Sequence, residues 1–252
     1  MLFEYLPTFP FGAIVAAFLW AAVIGVVAHA LVFRTKLFDA LLKVPMVPPF
    51  IALPAIMFAF LMAFMASDAW NNISQARTSL VNEVAAVNRI AAIPLKPEAA
   101  NPQAREAMRQ YIDAVTDEEF RQHFNQRGSA KADAAIARLE AIAWTASSQD
   151  GLAAGTFLKA LDDLRAARHQ RLGLGFQGTL VLKWVLVLML ALLTAISIAA
   201  VHRTGERTAA IAQILFCLAA WMSFSMVSSH IQPFRGPDAL TAAPLQALRA
   251  SL

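Results

Sequence analysis

Residues 54–66, Pro54-Ala55-Ile56-Met57-Phe58-Ala59-Phe60-Leu61-Met62-Ala63-Phe64-Met65-Ala66, carry no charge. They run without a glycine or proline into Ser67-Asp68-Ala69-Trp70-Asn71-Asn72-Ile73-Ser74-Gln75-Ala76-Arg77. Beyond that point Ile73, Ala76, Leu80, Val84 and Val87 recur at steps of three or four, which is the period of a helix with one apolar face. The spacing predicts one long helix that starts in an apolar run and continues through polar sequence to about Ile93. Pro94 and Pro97 stop it, because a proline ring removes a helical N–H and clashes with the preceding turn. Pro45, Pro48, Pro49 and Pro54 precede or interrupt its first part.

Working outward, the apolar stretch Phe50–Ala66 is one of four. The others are Phe11–Phe33, Thr179–Val201, which contains only Lys183, and Thr208–Ser229, which contains no charge. A bilayer core takes about 20 apolar residues per helix, and backbone groups in hydrocarbon must bond within their own segment. The predicted fold class is therefore all-α: a polytopic membrane protein with four transmembrane helices and a helical domain inserted between spans two and three. Phe11–Phe33 is too long for a signal-peptide core and follows Glu4 rather than a basic stretch, so it is expected to be retained as a helix. Composition agrees. Of 252 residues 58% are hydrophobic and 15% charged, against about 45–50% and about 25% in ordinary globular chains. Disorder is excluded. The single Cys217 excludes a disulfide framework or a thiolate cluster within one chain.

The division expected is residues 1–66 for spans one and two, 67–178 for an extramembrane helical stalk, 179–232 for spans three and four, and 233–252 for a tail. The insert is neutral in charge and Ala-rich. Asn101-Pro102 reads as an N-cap with proline at the first helical position. Thr116 with Glu119 reads as a capping box, and Glu118-Glu119 as a solvated first turn. Gly128-Ser129 opens a helix carrying Ile136, Leu139, Ile142 and Ala143. Gly151 and Gly155 bracket a turn, and Thr156 caps a last helix with Phe157, Leu161 and Leu164 that runs into the basic stretch 165–171. About four helices result.

The net charge of +4 is too small and too scattered for a nucleic-acid surface, and membrane boundaries are its more natural place. The short loops between spans carry Arg34, Lys36, Lys43, Arg203 and Arg207. The insert side carries Arg77, Arg165, Arg168, Arg171 and Arg235 near span ends. Basic residues in short loops count most, which leans toward cytoplasmic short loops.

Polar groups within spans are the place to look for function. Lys183, four residues into span three, is read as snorkelling to the interface or as a cation at a pore mouth. Ser225, Ser228 and Ser229 make a hydroxyl-rich face on span four that serves helix packing or lines a wet path. His29 and His202 fall at the same side of spans one and three, where a haem or quinone would need them. Arg235, after span four, is an interfacial anchor within reach of lipid phosphate or of a carboxylate such as Asp68 or Glu83. Ile56, Phe60 and Phe64, four apart on span two, face lipid or neighbouring helices. Repeated about a symmetry axis, they would form an apolar constriction that gates by dewetting. No zinc-protease motif, phosphate loop or nucleophile elbow is present. Neither catalytic residues nor a metal site nor a cofactor is expected.

The stretch Phe64–Arg77 resembles the segment after the second helix of bacterial bestrophins, through Phe64, the aromatic Trp70, Gln75 in place of Glu, and Ala76-Arg77. With Glu83 on the same helix and the C-terminal Pro233-Phe234-Arg235-Gly236, the whole chain resembles the bacterial bestrophin-like family of membrane proteins. That resemblance implies a four-span protomer that assembles as a homo-oligomeric, pentameric ion channel in the bacterial inner membrane. Span two would line an apolar neck at Ile56, Phe60 and Phe64. It also implies a cytoplasmic insert, against the leaning of the loop charges. Two other readings stay open: an accessory subunit of a larger membrane complex, contacting other subunits through the stalk and the serine face, and a haem- or quinone-binding protein.

Overall fold

The computed structural model describes residues 12–36, 38, 47–176, 181–235 and 239–252. Glu4, Phe11, Lys43, Pro45, Gly178, Thr179 and Gly236, used in the sequence reading, lie outside them. All regular elements among the described residues are helical: α1 Gly12–Arg34, α2 Pro49–Ala92, α3 Ala100–Ala114, a π-helical segment Val115–Gln122, α4 Ala130–Ser147, α5 Gly151–Phe176, α6 Val181–Val201, α7 Glu206–His230 and α8 Ala243–Arg249. Helices α1, α2, α6 and α7 are long and apolar enough to cross a membrane. The chain forms two compact units. Unit one is Met1–Asn71 with Gly178–Ile231, and unit two is Asn72–Gln177 with Gln232–Leu252.

Helix α2 is 44 residues long and contains Pro54. Pro49, its first residue, is tolerated because the first turn of a helix has no use for the missing N–H. There Phe50 N donates to Val47 O at 3.1 Å and Ile51 N to Pro48 O at 3.1 Å.

Unit one holds together by close approach of small residues. Ala17, Ala21, Ala28 and Val32 are buried along one face of α1, and Ala191, Ala195 and Ala199 along α6. Lipid tails are as apolar as leucine, so helices in a bilayer gain chiefly from packing, which small side chains permit. Gly25 is needed in this sense: a Cβ there would sit 2.7 Å from Cys217 Sγ on α7. Helix α2 meets this group through larger side chains. Phe58 packs edge-on against Phe216 and Phe224, with ring centroids 5.7 and 5.9 Å apart.

Unit two has a core of a different kind. Leu80, Val87 and Ile90 of α2 join Met108, Tyr111 and Ile112 of α3, Leu139 of α4, Phe157, Leu161 and Leu164 of α5, and Phe234 and Leu245 from the C-terminal segment. A helix opens at Ser129 as expected, and the Ser129 side chain caps α4, accepting from Lys131 N and Ala132 N.

Three local expectations are corrected. Asn101 is not an N-cap: α3 begins one residue earlier, and the Asn101 amide instead clamps Leu95, accepting from its N–H at 2.8 Å and donating to its carbonyl at 3.1 Å. Gly151 and Gly155 both lie inside α5. Asp150 receives Ala153 N at 3.0 Å, while Thr156 bonds back to Leu152 O. Thr116 and Glu119 form no capping box, because α3 continues into the π segment without a break. Glu119 is fully buried, and Thr116 Oγ1 is buried without a partner.

Gly175 lies where α5 passes the Asn125 backbone, and a Cβ would overlap the Asn125 carbonyl; a Cβ at Gly173 meets nothing. Gly175→Ala is expected to destabilise by about 1–3 kcal/mol through forced displacement. Gly173→Ala is expected to stabilise by about 0.5–1 kcal/mol. Thermal melting in detergent, followed by circular dichroism, checks the opposite signs.

Candidate functional site

The sequence candidates on α2 fall on a face that unit one leaves uncovered. Ile56, Phe60 and Phe64 are 51%, 60% and 67% exposed, and Leu53 and Met57 beside them are also exposed. Phe58, Met62 and Met65, at the alternate helical positions, are buried. Of the four apolar helices α2 is the least covered. Large aromatic and aliphatic side chains stacked on an uncovered face bind either lipid tails or further protein.

Lys183 does not stand alone. Its Nζ lies 2.6 Å from Asp68 Oδ2, with both side chains about half exposed. Ser228 and Ser229 turn back onto their own helix, each donating to Ser225 O, at 3.2 and 2.8 Å. Ser225 Oγ is buried without a hydrogen-bond partner.

His29 Nδ1 lies 2.9 Å from Gln213 Oε1, and its Nε2 lies 3.3 Å from Glu206 Oε1. Gln213 Nε2 donates to Ala195 O at 3.2 Å. His202 Nδ1 lies 2.9 Å from the carbonyl of Ile198 in its own helix. The two rings therefore have different partners. No group of three His, Cys, Asp or Glu able to hold a metal ion occurs among the described residues.

Arg235 donates to Gln126 Oε1 at 3.2 Å, and its guanidinium lies 4.5 Å from the centre of the Phe124 ring. Glu83, named as a possible partner from sequence, is occupied elsewhere, in the largest polar feature of unit two.

That feature is a buried cluster of charges. Arg171 is wholly buried. It donates from Nε and Nη2 to the two oxygens of Glu83 at 2.6 and 3.0 Å, from Nη2 to Glu119 Oε2 at 2.8 Å, and from Nη1 to Asn125 Oδ1. Its guanidinium also lies 4.9 Å from the centre of the Phe120 ring. Arg168 donates from Nε and Nη2 to Glu119 Oε1 at 3.0 and 2.6 Å, and pairs with Asp133 at 2.5 Å. Tyr111 donates to Glu83 Oε1 at 2.6 Å. Two buried cations thus face two buried carboxylates.

Burial opposes the charge of Arg171, but the field and hydrogen bonds of Glu83 more than offset it, so its pKa is pushed up. Burial, and then the Glu83 charge, push the Tyr111 phenol well above its ordinary range. Glu118, beside the cluster, is lowered by hydrogen bonds from Lys131 and Ser129.

Sequence reading missed this cluster. By residue type alone Arg168 and Arg171 read as interfacial cations and Glu119 as solvated. All three are buried, so the two arginines leave the count of charges near the membrane. The signal was present: Phe157, Leu161, Leu164, Arg168 and Arg171 follow the steps of four and three that mark a buried stripe.

The fold and this arrangement define an all-α membrane protein with a charge-locked helical unit. The chain belongs to the bestrophin-like family, whose Bestrophin-like domain matches residues 15–245. Its fold is similar to those of bacterial bestrophin homologues from Klebsiella pneumoniae. The structure solved by zinc anomalous phasing matches at 12% identity with a TM-score of 0.66, covering 94% of this chain and 96% of that one. Two point variants match at 13% identity and a TM-score of 0.68, one covering 94% and the other 96% of this chain, and each covering 96% of its own. At these identities the likeness is one of fold. No curated protein matches the sequence.

Removing Arg171 leaves Glu83 and Glu119 facing one another. Arg171→Met alone is expected to destabilise by about 3–5 kcal/mol, and Arg171→Met with Glu83→Gln and Glu119→Gln by clearly less. Chemical denaturation in detergent compares them. In a Tyr5→Phe background Tyr111 is the only phenol. Its raised pKa means that the folded state holds the proton more tightly than the unfolded state. The stability this lends is whole below pH about 10 and falls as pH rises beyond it. Phenolate absorbance at 295 nm is expected to rise together with the loss of helicity, not ahead of it.

Proposed function

We propose that the chain is the protomer of an ion channel. Copies of α2 stand around a common axis, with Ile56, Phe60 and Phe64 as the apolar gate. On this reading α1, α2, α6 and α7 each cross the bacterial inner membrane. Residues 67–178 form a helical domain outside the bilayer, and the assembly is a homo-oligomer of five. No cofactor takes part.

The observation that carries the reading is the uncovered aromatic face of α2. Its large exposed side chains, at 51–67%, sit on the helix that unit one covers least. A ring of such side chains would hold water out of a narrow passage and open by small rotations of the helices. Family membership adds the expectation of conduction, which remains a property of the site and not of the fold.

Lys183 joins this reading as half of a neutral pair with Asp68 rather than as a free cation at the mouth. Ser225, Ser228 and Ser229 act in helix packing, and Arg235 as an anchor on the Gln126 loop.

Mass determination of the purified protein in detergent, followed by ion flux into liposomes, tests the proposal. A defined homo-oligomer that passes ions is expected, with flux rising severalfold when Phe60→Ala and Phe64→Ala are combined. A monomer, or a species that purifies only with other subunits, would favour the accessory role. An oligomer that stays silent in both forms would rule the channel out.

A further inference from the structure

Helices α1 and α7 do not close along their whole length. Between them lies an apolar groove of about 470 Å³ that contains Phe18 and Trp221 at one end and His29, Gln213 and Arg34 at the other. From Phe18 to Arg34 it follows α1 for about 24 Å at 1.5 Å per residue. That exceeds the depth of one leaflet, about half of a hydrocarbon core of about 30 Å. Its walls are uniform in character until the last turn. Phe18, Val26, Ile214 and Leu218 are exposed there, and the ring of Trp221 meets that of Phe18 edge-on at 5.8 Å.

Among the described residues the polar end carries more cations than carboxylates. Arg34 lines the groove with its side chain 75% exposed, and its partner among the described residues, Glu206 Oε1, stands 3.5 Å away. Glu206 is shared with His29. Arg207 is exposed on α7, three and seven residues before the groove residues Ala210 and Ile214, and so in register with them. Lys36 is exposed just beyond α1. Among the described residues at this end of the two helices, then, three cations, Arg34, Arg207 and Lys36, accompany one carboxylate, Glu206.

An apolar slot that ends in surplus positive charge matches an amphiphile with a long tail and an anionic head. We infer that the groove between α1 and α7 is a binding site for an anionic phospholipid. The acyl chain lies along Phe18, Val26 and Trp221, and the phosphate lies between Arg34 and Arg207. The inference needs α1 and α7 to face lipid, and does not depend on conduction.

The test is lipid retention. Protein reconstituted with equal amounts of phosphatidylglycerol and phosphatidylcholine is extracted into mild detergent, and the lipid that stays bound is weighed by native mass spectrometry. Phosphatidylglycerol is expected to predominate. Arg34→Gln with Arg207→Gln is expected to reduce its preference by about thirtyfold, from roughly fivefold per cation near a lipid surface. Arg34→Lys with Arg207→Lys keeps most of the preference, which separates loss of charge from loss of fold. Ala22→Phe, which fills the groove, lowers retention of both lipids.

Quenching of Trp221, taken as the difference between the wild type and Trp221→Phe, is expected to be stronger with chain-brominated phosphatidylglycerol than with chain-brominated phosphatidylcholine. Equal retention of the two lipids, or a preference that survives Arg34→Gln with Arg207→Gln, overturns the inference. So does a Trp221 that neither lipid reaches, as would follow if a second copy covers the groove.

Discussion

A guanidinium without water must find partners for its N–H groups, and in unit two that requirement organises what surrounds it. Arg171 takes both oxygens of Glu83 on α2, one oxygen of Glu119 on the π segment and the side chain of Asn125. The desolvation penalty for such a group is several kcal/mol, offset only when geometry is good and no charge is left over. The peculiarities nearby serve this end. The π segment, with His123 N bonding to Glu118 O, carries Glu119 within reach of both arginines. Phe124 and Asn125 follow with positive φ of 48° and 58°. Asparagine enters that region readily, but phenylalanine does so at a cost of about 1–2 kcal/mol. The Phe124 ring is met by Arg235, and the Asn125 side chain by Arg171. Gly175 leaves room for the Asn125 carbonyl.

Unit one is built on the opposite principle. Its buried polar groups are few. Gln213 is almost wholly enclosed and satisfied by His29 and Ala195, and Trp221 Nε1 donates to Ile14 O at 3.1 Å. Cohesion comes from alanines and Gly25, which let backbones approach, and from the aromatic contacts of Phe58. Such packing sets distances between helices closely but fixes a helix rotationally only where a large side chain interlocks. On α2 that is done by Phe58, Met62 and Met65. Leu53, Ile56, Met57, Phe60 and Phe64, on the far side of that helix, are left exposed by the described residues.

The sequence made the helices legible and left the charges ambiguous, for a physical reason in each case. Apolar runs and three-four spacing announce helices because both follow from the length of a span and the pitch of the backbone. Thus α2 could be followed through Ala66 into Ile73, Leu80 and Val87, and a helix start could be placed at Gly128-Ser129. Charged residues were read by their average habit of facing water. Glu83 follows Leu80 by three residues and precedes Val87 by four, and Arg168 and Arg171 continue the Leu161 and Leu164 register. Their burial was therefore written in position and contradicted by residue type. The partners could not be found this way, because the bonded pairs Tyr111–Glu83, Arg171–Glu119 and Arg171–Glu83 lie 28, 52 and 88 residues apart. The candidate gate was legible as a face, since Ile56, Phe60 and Phe64 are four apart. The π segment was not, because no residue in 115–122 distinguishes a wide turn from an ordinary one.

These two kinds of cohesion bear on how a passage lined by α2 would select. From Leu53 to Asn71 the uncovered surface of α2 has one charge, Asp68, and Lys183 stands 2.6 Å from it. The pair is half exposed, so solvent screens it and its field beyond a few ångströms is that of a dipole. Above it are Ile56, Phe60 and Phe64. Beside it are Ser67 and Asn71, which hydrate an ion without discriminating strongly by sign. In the proposed assembly the barrier to an ion is then chiefly the loss of its water among apolar side chains. That barrier responds to the width and dryness of the ring more than to the charge of what passes, so control would lie in helix rotation and packing rather than in a charged filter.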